Sequence, residues 1–183
     1  MSDVVVVPEF EEFPKIPRLS RDCVVTEKID GTNGCVLVME DGRVIAGSRT
    51  QWITPEADNF GFARWVAEHA EELRTGLGVG RHFGEWWGLG IQRRYDQERK
   101  RFSLFNTSKW IETRPACCDV VPILYTGIFS TLEIAAVVQD LAEKGSSAAP
   151  GFMNPEGVVI YHVSLRGYFK KTIEKDDAGK GHE

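Results

Sequence analysis

A mixed α+β domain is the fold class this chain predicts, on three observations. Several short apolar runs have the length and composition of strands, and Asp41-Gly42 marks a hairpin between two of them. Two longer segments carry apolar residues at helical spacing behind capping residues. The 183 residues suffice for one core without stapling, so residues 1–183 are expected to form a single domain with no separate C-terminal one.

Composition removes several classes of function. No apolar run approaches a membrane span, and residues 4–7 are too short and lack the basic flank of a signal peptide, so a cytoplasmic protein without a membrane partner is expected. Cys23, Cys35, Cys117 and Cys118 lack metal-ligand spacing and read as reduced, structural thiols, and the four histidines form no paired motif, which argues against structural zinc. A net charge of -5 argues against gripping nucleic acid over the whole surface by counterion release. It leaves room for a local strip at Arg93, Arg94, Arg99, Lys100 and Arg101, although Asp96 and Glu98 interrupt it and most of these side chains are expected to be solvated.

Taken in order, the chain opens with an irregular stretch through Pro17 with one short strand over residues 4–7. Residues 23–25 then lead into Glu27-Lys28-Ile29-Asp30-Gly31-Thr32-Asn33-Gly34, and residues 35–39 follow as a second strand. Lys28 thus sits where a buried strand opens into a Gly-rich turn. An amine there needs a partner or a task, and desolvation favours its neutral, nucleophilic form. Asp30 and Gly31 permit close backbone approach to a ligand, while Thr32 and Asn33 offer short polar groups for phosphate or ribose.

Past the hairpin, residues 43–48 return as a strand and bring Ser48-Arg49 back beside Lys28, where a guanidinium suits phosphate or a ribose hydroxyl. Asp58-Asn59 caps a single helix with Phe62, Trp65, Val66, His69 and Leu73 on its core face, and His69 there reads as a packing residue. Residues 81–88 form a strand in which Glu85 lies between aromatics, either buried with a hydrogen-bonded partner or turned to solvent by alternation. A Gly-containing loop follows over residues 88–95, then a short strand over 101–105 whose aromatics are core or stack on a base. Residues 120–125 read as one strand, and Ser130-Thr131-Leu132-Glu133 is a capping box that opens a second helix ended by Gly145. Glu156 stands at the mouth of the apolar strand 158–161, a position suited to a metal ligand or general base. The last strand, 165–173, carries Lys170 and Lys171, and the polar tail after it is expected to fray.

The succession Lys28-x-Asp30-Gly31, Ser48-Arg49, Gly84-Glu85, residues 102–105, Glu156-Gly157 and Lys170-Lys171 resembles the motifs of the covalent nucleotidyltransferases. The wording around Lys28, with Gly88-Leu89-Gly90-Ile91-Gln92-Arg93 after Glu85, is most similar to small phage and bacterial ATP-dependent RNA ligases, over roughly residues 18–175. That resemblance implies an adenylation domain of two packed, largely antiparallel sheets flanked by helices, with the nucleotide in the cleft between them. It implies ATP and Mg2+ or Mn2+ as cofactors, a covalent AMP on Lys28, and nucleic acid ends as partners, RNA rather than DNA. Catalytic roles fall to Lys28, Glu156, Lys170 and Lys171, with Glu156 also at the metal. Nucleotide-binding roles fall to Glu27 near the base, Asn33 and Glu85 at the ribose, Arg49 at phosphate, Phe105 stacked on adenine, and to Ile29 and Asp30 of the Lys28 motif. A DNA ligase, a GTP-using capping enzyme and a non-catalytic binder of nucleotides or RNA ends are the alternatives.

Two departures from the family pattern carry expectations. The lysines of the last motif are often separated by one residue, whereas Lys170 and Lys171 are adjacent and a regular strand turns them to opposite faces, with Lys170 expected inward. Many ligases also carry a further C-terminal domain that grips nucleic acid, so the expectation is either a minimal catalytic domain that works alone or one that needs a protein partner to supply that grip.

Overall fold

The computed structural model describes residues 8–174. The strand expected over residues 4–7 and the tail over 175–183 lie outside the described residues. In chain order the elements are β1 (Asp22–Lys28), β2 (Thr32–Val38), β3 (Val44–Gly47), β4 (Trp52–Ile53), α1 (Phe62–Glu68), α2 (Ala70–Leu77), β5 (Gly80–Gly88) and β6 (Lys100–Leu104). Then come α3 (Thr107–Trp110), β7 (Asp119–Val120), β8 (Ile123–Ile128), α4 (Thr131–Lys144), β9 (Gly157–His162) and β10 (Gly167–Thr172). The strands make two sheets, ordered β10-β9-β1-β8 and β4-β3-β2-β5-β6-β7. All described pairings are antiparallel except β6 with β7, so the expected α+β class of two antiparallel-rich sheets is what the chain forms.

Alternation assigns each sheet one core face. In the six-stranded sheet Val36, Val38, Trp86, Phe102 and Leu104 pack under Phe62 and Val66 of α1 and Leu73 and Leu77 of α2. The Phe62 ring centroid lies 5.0 Å from Phe102 and 5.4 Å from Trp86, and each fully buried large side chain contributes roughly 1.5–3 kcal/mol. In the four-stranded sheet Cys23, Val25, Val158 and Ile160 pack under Ile134, Val138 and Leu141 of α4. Ser130 and Gly145 bound α4 as expected, the Ser130 hydroxyl accepting from the Glu133 amide at 3.5 Å. A third cluster of Ile29, Trp87, Tyr95, Val121 and Ala149 joins the sheets and fixes the cleft between them.

Two expectations are corrected. The helix read from Asp58 onward is two helices, because His69 takes φ -106° and ψ 14° and interrupts the ladder. Its Nδ1 lies 2.9 Å from the Trp65 carbonyl oxygen and its ring stacks on Trp65 at 4.9 Å, so the half-buried residue is held by packing, as expected. Asp58 still caps the start, its carboxylate accepting from the Ala63 amide at 2.7 Å and the Arg64 amide at 3.2 Å. The run read as one strand over 120–125 belongs to both sheets, with Asp119–Val120 beside β6 and Ile123–Ile128 beside β1. Pro122 lies at the crossing, where its missing N–H breaks no ladder, and its carbonyl accepts from the Glu27 amide at 3.0 Å. All four cysteines are free, and among the described residues no helix is long and apolar enough to cross a membrane.

Candidate active site

Lys28 is the last residue of β1, opposite Gly157 of β9. Strand alternation puts Glu27 on the α4 face with Val25 and turns Lys28 to the other side with Thr26. There its Nζ meets Glu156 Oε2 at 2.5 Å, with the two side chains 25% and 17% exposed. Lysine and carboxylate come from strand ends 128 residues apart, which the β1–β9 pairing brings together.

The turn after Lys28 is tied down on three sides. The Gly31 amide donates to Glu85 Oε1 at 3.1 Å, and any Cβ at Gly31 would overlap the Trp86 carbonyl oxygen. The Asp30 amide donates to the Tyr95 hydroxyl at 2.9 Å, while Asp30 Oδ2 accepts from Arg93 Nε at 3.0 Å. Arg93 Nη1 also donates to the Asn154 carbonyl at 3.1 Å and to Asn154 Oδ1 at 2.9 Å. One guanidinium therefore couples the Lys28 turn to the segment that delivers Glu156.

Glu85 is buried rather than turned to solvent, which decides between the two expectations for it. It stands opposite Asn33 in the β2–β5 pairing, and Asn33 Nδ2 donates to Glu85 Oε2 at 3.1 Å. Desolvation pushes its carboxyl up to about 7, with Glu156 nearby raising it further and Lys28, the Gly31 amide and Asn33 pulling it down. Glu27 is also buried, but its carboxylate accepts from Ser146 Oγ at 2.6 Å and from the Ser147 and Ala148 amides at 2.8 Å each. Burial raises that carboxyl too, against those three donors. Ile29 points into the cluster that joins the sheets.

The remaining expected residues make none of these contacts. Arg49 is exposed in the turn after β3, where the Ser48 amide donates to the Gln51 carbonyl at 2.8 Å. Phe105 is 38% exposed just past β6. In β10, Lys170 pairs with Val159 and Thr172 with Gly157, so both share the face of Lys28, while Lys171 pairs with Val158 on the α4 face. Much of the basic strip is engaged rather than solvated, Arg93 as above, Arg101 with Asp119 at 2.8 Å and Lys100 with the Phe60 carbonyl at 2.7 Å. Arg93, Tyr95 and Asn154 were not singled out in the sequence for the site. Their signal was faint, an arginine and an aromatic in a loop whose backbone takes positive φ at Gln92, Arg94, Tyr95 and Asp96.

A cavity of about 300 Å3 opens between the sheets, lined by Trp87, Arg101 and Ser103 on one side and Ile123 on the other. None of Lys28, Asn33, Glu85 or Glu156 lines it. Among the described residues no group of three or more His, Cys, Asp or Glu side chains could hold a metal by itself. Glu156 offers a single carboxylate beside Lys28, the kind of donor that takes Mg2+ or Mn2+ together with water and substrate phosphates.

A family model described as RNA ligase matches residues 21–175. The chain belongs to the RNA ligase family. Its fold is shared with solved structures of the Naegleria gruberi RNA ligase. A mutant form with AMP and Mn superposes with a TM-score of 0.62 at 19% identity, covering 84% of this chain and 50% of that one. An apo mutant form gives 0.63 at 20% identity over 84% and 50%, and one with ATP and Mn gives 0.62 at 21% over 85% and 51%. This RNA ligase family member thus spans about half the length of those relatives. No curated protein sequence matches it significantly.

Proposed function

We propose that this chain is an ATP-dependent RNA ligase that works through a covalent lysine–AMP intermediate on Lys28. The observation that carries the reading is Lys28 Nζ against Glu156 Oε2 at 2.5 Å, beside the Asn33–Glu85 pair. In the first step the Lys28 amine attacks the α-phosphorus of ATP; an N–P bond forms, the bond to pyrophosphate breaks, and the amine gives up a proton for which Glu156 is the adjacent acceptor. The RNA 5'-phosphate then attacks the same phosphorus, the N–P bond breaks, and Lys28 takes a proton back. Attack by a 3'-hydroxyl on the capped 5'-phosphorus forms the phosphodiester and releases AMP.

Such transfers depend on positioning and charge neutralisation. Lys170, on the face of Lys28, and Arg49 supply positive charge for phosphates. Asn33 and Glu85 hold the ribose, Phe105 stacks on adenine, Ile29 and Asp30 shape the turn beneath the nucleotide, and Glu27 acts at one remove, through the 146–148 loop that it anchors. A divalent ion, Mg2+ or Mn2+, would be held at Glu156 with the phosphates and would neutralise their charge. The substrate is RNA ends, and a partner or further segment supplies added grip on them.

Intact mass before and after incubation with ATP and Mg2+ tests the reading. A gain of one AMP is expected for the wild type and none for Lys28→Ala of unchanged thermal stability. A labelled Lys28→Ala protein would end the proposal, and label from GTP in place of ATP would reassign the nucleotide. Joining of nicked RNA against nicked DNA then assigns the polynucleotide.

A further inference from the structure

The face of the six-stranded sheet left uncovered by α1 and α2 carries more than the Asn33–Glu85 row. One row farther from Lys28, Trp52 of β4 lies opposite Gly47, Gly47 opposite Cys35, and Cys35 opposite Phe83. Phe105 continues the row, its amide donating to the Phe83 carbonyl at 3.0 Å. Three aromatic rings thus lie along one line across the sheet, Trp52 50%, Phe83 55% and Phe105 38% exposed. Gly47 makes room for the first of them, since a Cβ there would come within 3.0 Å of the Trp52 ring. Arg81, two residues before Phe83 on the same face, holds its guanidinium 5.9 Å from the Trp52 ring centroid.

An exposed aromatic row with a guanidinium against it is chemistry for nucleobases and phosphates rather than for an apolar protein surface. Every base offers a π-face to such rings, and sheet platforms of this kind take unpaired bases in other RNA-binding folds. A duplex keeps its bases stacked inside and presents only backbone and grooves. Trp52 and Phe83 stand three strand spacings apart, roughly 14 Å, so the platform accepts more than one nucleotide. Its far end adjoins Phe105 and the row that faces the reacting lysine.

We propose that Trp52, Phe83 and Arg81 form a docking platform for unpaired nucleotides of the RNA end to be joined. This rests on the RNA ligase reading for the identity of the nucleic acid, but not on Lys28 chemistry.

The test uses the full chain, a fluorescent single-stranded RNA of about a dozen nucleotides without secondary structure, and the blunt duplex of the same sequence. Single-strand binding should quench tryptophan emission, and Trp52→Ala and Phe83→Ala should each weaken it about tenfold while Trp52→Phe largely restores it. ATP-dependent mass gain and thermal melting should be unchanged in all three variants. Unchanged single-strand affinity in both alanine variants, or equal affinity for the duplex, would overturn the platform. Failure of the ligase reading has a separate signature, absence of the AMP mass gain in the wild type.

Discussion

Two glutamates, both buried and both raised in pKa by desolvation, sit on opposite sides of the strand-to-turn junction at Lys28. Glu27 faces α4 and accepts three hydrogen bonds from one loop, at 2.6, 2.8 and 2.8 Å. Glu85 faces the cleft with two longer bonds of 3.1 Å each and a lysine and a second carboxylate close by. The difference separates a structural carboxylate from an available one. A saturated buried acid fixes a loop, whereas a half-satisfied one beside other charges retains acceptor capacity for a ligand.

The comparison breaks if the two acids respond alike to truncation. Glu85→Ala is expected to lower the rate of AMP loading on Lys28 about a hundredfold at saturating ATP, since the role proposed for it is to orient the nucleotide. Its melting temperature at neutral pH should be unchanged or higher, because the variant no longer buries a carboxylate. Glu27→Ala should invert that pattern. Removing its carboxylate strands the Ser147 and Ala148 amides, and denaturant unfolding should report a loss of about 3 kcal/mol. Loading measured well below the transition should then remain close to wild type. A stable Glu27→Ala protein that cannot load AMP would return Glu27 to the nucleotide.

A pH series sharpens the same contrast. Glu85 has its folded pKa near 7 against an ordinary 4.5, so between those values the native state holds a proton that the unfolded chain has released. Its contribution to stability is therefore greatest below about pH 4.5 and falls as pH rises to about 7, by on the order of 2 kcal/mol once screening in the open cleft is allowed for. Glu27, also raised, bends the profile in the same direction, so the difference between wild type and Glu85→Gln isolates Glu85. A difference profile flat from pH 4.5 to 7 would contradict the burial argument.

The sequence placed both glutamates at the nucleotide, so the contrast itself was not legible there; much of the framework that creates it was, and the part that was not has a physical cause. The strands around Lys28, the Asp41-Gly42 hairpin and α4 follow from local pattern and turn chemistry, which act over a few residues. The split of 119–128 between two sheets has only Pro122, a poor residue for strand interior, as a local signal, and which sheet each half joins depends on partners distant in sequence. The motif residues Lys28, Glu85 and Glu156 could be named from their order along the chain. Arg93 could be named only as the end of the wording at residues 88–93 and as part of a basic strip, since its bridge between Asp30 and Asn154 spans 63 and 61 residues and nothing in a mixed-charge loop announces it.

The adjacent lysines of β10 give the smallest and sharpest test of face assignment. Register places Lys170 opposite Val159 and on the side of Lys28, and Lys171 opposite Val158, a residue packed under α4. If charge on the cleft face is what matters, Lys170→Ala should slow AMP loading about tenfold, or about 1.4 kcal/mol of transition-state stabilisation, while Lys171→Ala changes it less than twofold. Thr172 occupies the next position on the cleft face, directly opposite Gly157. Thr172→Lys would put a second ammonium there, as in relatives whose two lysines are one residue apart, and should raise affinity for ATP. Equal losses in Lys170→Ala and Lys171→Ala would mean that β10 does not keep its register when the nucleotide is bound, because in a regular strand one side chain of the pair must turn away.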